Sequence, residues 1–126
     1  MLSSIHHLTL TVSDLSASQK WYSEVLGFEI VREAGGDELS KTMMRNGDIT
    51  LILVEHHSEG VHDSFSEFRV GLDHLSFAVQ DRESLEKWAT HLDDYQVPRS
   101  EIAQGALGSV LSFRDPDNIA LEFYSG

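Results

Sequence analysis

The segment IHHLTLTVSD, from Ile5 to Asp14, alternates as a strand does. Ile5, His7, Thr9 and Thr11 share one face, and His6, Leu8, Leu10 and Val12 share the other. The second face is apolar enough to pack, whereas the first holds His7 among small polar residues. From Ser16 the period changes. SASQ reads as a capping box, with Ser16 as N-cap and Gln19 reaching back to it. Trp21, Tyr22, Val25 and Leu26 then supply the apolar face of a helix that stops at Gly27. Three strand-like runs follow, FEIVRE, SKTMMRN and DITLILVE, separated by the turn signals GGD and NGD. The pattern predicts βαβββ for the first half of the chain.

The second half repeats it. LDHLSFAVQD, from Leu72, lays His74 over His7, Leu75 over Leu8, Val79 over Val12 and Asp81 over Asp14, each pair 67 positions apart. At the same offset Trp88 falls on Trp21, Tyr95 on Phe28 and Val97 on Ile30. Asp81 is the expected N-cap of a second helix, whose apolar stripe is Leu85, Trp88, Ala89 and Leu92. VPRSEIAQ, GSVLSFRD and IALEFYS are the expected strands after it, divided by GALG and DPDN turns. The predicted fold is α+β: one domain over residues 1–126 made of two tandem βαβββ modules, about 1–60 and 70–126. The polar stretch from His56 to Arg69 joins them as a surface loop.

Strand parity sorts the candidate chemistry. In module two Leu75, Phe77, Val79, Leu121 and Phe123 turn toward the helix. His74, Ser76, Ala78, Ala120, Glu122 and Tyr124 turn away. His7, His74 and Glu122 therefore lie on faces turned from the helices. Two imidazoles and one carboxylate are a donor set for a divalent metal with positions left open. A lone strand histidine is most often structural or solvated, and a lone Glu122 would read as the wet face of a strand. Repetition of the histidine at one module position favours a ligand, because a duplicated packing position would keep an apolar residue. His6, on the core side, is expected to be structural. Trp21 and Trp88 read as packing. Met43 and Met44 cannot share a face, so one belongs to the core. His56, His57 and His62 read as a solvated loop group.

Composition narrows the chemistry further. With no cysteine among 126 residues, disulfides, thiolate catalysis and sulfur-ligated zinc are excluded, which leaves imidazole and carboxylate as ligands. Fe, Mn, Zn, Ni and Co all suit such a set. A net charge of −12 argues against nucleic acid or an anionic membrane surface as partner. No apolar run approaches the ~18 residues of a membrane span, and no charged-then-apolar leader opens the chain, so a cytoplasmic protein is expected.

On HHLTLTVSDL…WYSEVLGF, LDHLSFAVQD and FRDPDNIALEF, the chain resembles the vicinal oxygen chelate superfamily, the glyoxalase/bleomycin-resistance/dioxygenase fold. The resemblance implies paired modules forming a cupped mixed β-sheet with helices outside. It also implies a divalent metal in the cup, a homodimer, and His7, His74 and Glu122 as ligands. The position matching Glu122 in module one is Ile52, where glyoxalase I-like and methylmalonyl-CoA epimerase-like members carry a fourth ligand. A four-ligand proton-transfer site is therefore not expected. Extradiol dioxygenases and fosfomycin-resistance transferases use three ligands, but typically carry a tyrosine where this chain has Ser112. The leading expectation is a metal-dependent enzyme acting on a small substrate that chelates through neighbouring oxygens, with Tyr124, Ser112 and Arg114 as substrate contacts. The alternative is a non-catalytic protein that sequesters a small aromatic drug or natural product.

Overall fold

The computed structural model describes all residues from Met1 to Gly126, which fall into two units, Met1–Asp63 and Ser64–Gly126. In the first, β1 (Leu8–Thr11) and α1 (Leu15–Glu24) precede β2 (Glu29–Gly35), β3 (Leu39–Asn46) and β4 (Ile49–His56). The sheet order is β1-β4-β3-β2. β1 runs parallel to β4, with Leu8 opposite Leu51, and the other pairs are antiparallel. Leu10, Val12, Tyr22, Phe28, Met44, Leu51 and Leu53 are buried as an apolar core, and within the strands Leu10, Met44 and Leu51 alternate with wetter neighbours. Of the two adjacent methionines, Met44 is the fully buried one.

The second unit repeats the plan with β5 (Leu75–Val79), α2 (Arg82–Asp94), β6 (Ala103–Gln104), β7 (Ser109–Arg114) and β8 (Ala120–Ser125), in the order β5-β8-β7-β6. Again the first strand runs parallel to the last, with Ser76 opposite Glu122. Leu85, Ala89 and Leu92 of α2 pack into a core with Leu111, Leu121 and Phe123, and the Trp88 ring stacks on Phe123 at 4.4 Å. Each module thus forms its own four-stranded mixed sheet with one parallel pair.

Four expectations change in detail. The N-cap of α1 is Asp14, not Ser16: its carboxylate accepts from the Ala17 amide at 3.1 Å, as Asp81 accepts from Ser84 at 2.8 Å. A carboxylate reaches the open amides of a first turn as well as a hydroxyl does, and it adds charge favourable to the helix dipole. Gln19, freed from a capping box, accepts from the Thr42 hydroxyl at 2.7 Å. The repeat also slips after the helices. The left-handed residue that ends the helix is Gly27 in module one and Gln96 in module two. Buried Val97 therefore takes the place of buried Phe28, while Tyr95 is exposed. VPRSEIAQ yields only the two-residue β6 and one bridge from Arg99 to Phe113. His6, expected on the core side, is exposed, because β1 starts two residues later and strand parity does not reach it.

Candidate metal centre

Each conspicuous histidine sits one residue before the first strand of its module: His7 before β1 and His74 before β5. His7 is exposed, with its Nδ1 2.9 Å from Nδ1 of His6. The two rings meet edge to face, so one nitrogen donates and the other accepts.

His74 is more closely held. Its Nδ1 lies 2.7 Å from Asp73 Oδ1, and its Nε2 lies 3.3 Å from Glu122 Oε1. Glu122 is placed by two ladders: on β8 it is opposite Ser76 of parallel β5 and Ser112 of antiparallel β7. Leu121 and Phe123 on either side are buried, and the Glu122 side chain is only 15% exposed. The Asp73 hydrogen bond, helped by the nearby Glu122 charge, raises the His74 pKa above the ordinary imidazole value against the opposing effect of partial burial.

A cleft of about 470 Å³ opens beside this pair, lined by residues of the second unit alone. Ser112 and Arg114 of β7 lie along it with His74 and Glu122, as expected, and so do Glu67, Asp73, Arg99 and Ser100, which sequence reasoning did not single out. Ser112 is exposed, and its amide donates to Ser100 Oγ at 2.9 Å. Arg114 is already engaged: Nη1 donates to Glu67 Oε2 at 2.6 Å and to the Asn118 carbonyl at 3.1 Å. Tyr124 does not line the cleft. Its hydroxyl accepts from the Leu107 amide at 3.1 Å, and its ring packs so close to Gly105 that any side chain there would overlap it. DPDN is a tightly bonded turn in which buried Asp115 accepts from the Asp117 and Ile119 amides. His57 also has partners, Ser40 Oγ and the Asp37 carbonyl, each at 3.1 Å.

His74 and Glu122 offer an imidazole nitrogen and a carboxylate oxygen to one point. Their 3.3 Å separation suits neighbouring ligands of an ion whose bonds are about 2.1 Å long. No group of three or more His, Asp or Glu side chains is arranged as a complete cage. The structure thus brings together two of the three expected donors.

This fold is that of a family. The chain belongs to the Glyoxalase/Bleomycin resistance protein/Dioxygenase superfamily, whose model matches residues 4–123. It is similar to a solved glyoxylase/bleomycin resistance protein/dioxygenase domain from Frankia sp. EAN1pec, at 37% identity and a TM-score of 0.92, covering 100% of this chain and 99% of that one. It is 29% identical to a metallothiol transferase, FosB, from Staphylococcus saprophyticus, covering 100% of this chain and 79% of the relative. It shares the fold of a fosfomycin resistance protein, FosX, from Listeria monocytogenes, solved with Mn(II) and a dihydroxypropylphosphonic acid. That likeness has a TM-score of 0.76 at 20% identity, over 100% of this chain and 92% of the other. No helix is long and apolar enough to cross a membrane.

Proposed function

We propose that the protein is a metal-dependent enzyme acting on a small organic substrate that chelates through neighbouring oxygens, its ion held by His7, His74 and Glu122. The observation that carries this is the His74–Glu122 pair: an imidazole and a shielded carboxylate aimed at one point on the rim of an open cleft. His7, the equivalent of His74 in module one, is the third ligand, from the same chain or from the partner in a homodimer. One relative named as a metallothiol transferase, and a neighbour of the same fold solved with Mn(II), support a divalent ion. When bound, the ion supplies Lewis acidity toward a substrate carbonyl or the oxyanion derived from it.

The remaining work falls to this chain's own groups. Asp73 accepts the Nδ1 proton of His74, which turns the other ring nitrogen toward Glu122 as a free ligand. Ser112, exposed on β7 opposite Glu122, offers a hydroxyl to a substrate oxygen. Glu122, largely shielded from water, stays fixed between its two ladders while substrate exchanges in the open cleft. Ile52, at the place matching Glu122, supplies neither ligand nor base.

The test is elemental analysis of untagged protein beside His74→Ala and Glu122→Gln. About one ion per chain is expected in the parent, and its loss in both variants. Absence of metal after reconstitution with Fe(II), Mn(II), Zn(II), Ni(II) and Co(II) would overturn the proposal and leave a small-molecule sequestration protein as the better account.

A further inference from the structure

Two arginines face the module-two cleft, and neither is free. Arg99 grips both oxygens of Asp93, through Nε and Nη2 at 2.9 Å each. Arg114 holds Glu67 Oε2 at 2.6 Å and the Asn118 carbonyl at 3.1 Å. Glu67 does not belong to the sheet. It sits on the segment leading into module two, and that segment is pinned in place. The Phe65 amide donates to the Asp117 carbonyl at 3.0 Å, and the Asn118 side-chain amide donates to the Phe65 carbonyl at 3.1 Å. The same turn that launches β8 therefore delivers a carboxylate to the arginine on β7.

Arg114 in turn holds the Glu67 carboxyl below the usual carboxylate range, so the pair stays ionised at neutral pH. Three carboxylates line the cleft, those of Glu67, Asp73 and Glu122. An anion entering along β7 meets that charge and must displace Glu67 to reach a guanidinium. A neutral or cationic group meets neither obstacle.

We propose that Glu67 is a specificity-determining residue: it occupies Arg114 as an internal counter-ion, keeps phosphonate- or phosphate-bearing ligands out of the cleft, and restricts the part of a substrate lying along β7 to neutral or cationic groups. This rests on the cleft beside His74 being the substrate site, as proposed above, but not on which ion that site holds.

The experiment is titration of inorganic phosphate into the full chain, treated with a chelator so that no ion competes for it, followed by amide chemical shifts and calorimetry. The parent is expected to show no saturable binding up to roughly 20 mM. Glu67→Gln, which keeps the shape and removes the charge, is expected to gain affinity by roughly fivefold or more. The gain is expected to vanish in the Glu67→Gln/Arg114→Met double variant. Saturable phosphate binding by the parent that Arg114→Met abolishes would overturn the proposal, and so would a folded Glu67→Gln variant with no gain. If Glu67→Gln proves unstable, Glu67→Ser serves in its place, and saturable phosphate binding by the parent that shifts the Arg114 side-chain signals overturns the proposal without any variant. Metal analysis reads His74 and Glu122, whereas this titration reads Glu67 and Arg114, so either proposal can fail alone.

Discussion

Removing the Asp73 carboxylate is expected to weaken metal binding without touching a ligand. Asp73 Oδ1 lies 2.7 Å from His74 Nδ1, on the side of the ring opposite the nitrogen that faces Glu122. Partners of this kind, acting through a ligating histidine, typically carry 10–100-fold in affinity. The Asp73 side chain is 73% exposed, so water replaces much of what it supplies, and the low end applies. Asp73→Ala should therefore cost roughly tenfold, about 1.4 kcal/mol, and Asp73→Asn, which keeps an acceptor but no charge, roughly threefold. Competition against a chromophoric chelator at pH 8 measures both. Nitrogen-15 shifts of His74 in the metal-free protein report whether the Nδ1 proton has been released from its preferred site. If Asp73→Ala binds metal as tightly as the parent while Glu122→Gln does not, the carboxylate does not position the ring and the reasoning fails.

The raised pKa of His74 makes stability of the metal-free protein depend on pH. Its contribution is fully present below the unfolded value of 6.5 and is lost as pH rises through the raised folded value. Melting temperature in the presence of chelator should fall across that window in the parent and fall less in His74→Ala; parallel curves would count against the ion-pair account. Asp14→Ala should cost about 1 kcal/mol in urea unfolding, whereas Ser16→Ala should stay within about 0.5 kcal/mol, because Asp14 is the cap. The reverse ranking would restore the capping box. Trp88→Ala removes the ring stacked on Phe123 and, from a partly exposed site, should cost about 2–3 kcal/mol by the same measurement; a change below about 1 kcal/mol would make that contact decorative.

Periodicity and repetition exposed the βαβββ order, both helices and the outward face that carries Glu122, because alternation along β8 is strict between Leu121 and Phe123. Two kinds of information were hidden. One was local: Ser16 resembles a cap, and only the repeat itself, with Asp81 in the matching place, pointed to Asp14. The slip from Phe28 to Val97 likewise came from a longer α2, which a constant offset cannot represent. The other was long-range. Glu67 and Arg114 are far apart in the chain and meet only because the Asp115–Asn118 turn pins the incoming segment. Asp73 lies just outside a strand, where parity says nothing about its neighbour's ring. Pro98, which lacks an amide proton, and Arg99, bound to Asp93, pull VPRSEIAQ out of the sheet despite its strand-like look.

In both modules the first strand pairs with the last, so every ladder of a sheet is made within its own module. For a chain emerging from a ribosome this sets a timetable. Once His56 is clear of the exit tunnel, every ladder of β1–β4 has both of its partners, and nothing yet to be synthesised is needed to complete them. A pause anywhere in the polar stretch from His57 to Asp63 would hold a half-protein with no strand left waiting for a mate. The parallel β1–β4 pairing, the slowest to form because its partners lie farthest apart, would be finished before its look-alike β5 is exposed to compete for it. A duplicated sequence invites mispairing between copies, and vectorial synthesis of modules that each complete their own ladders is a physical answer to that hazard.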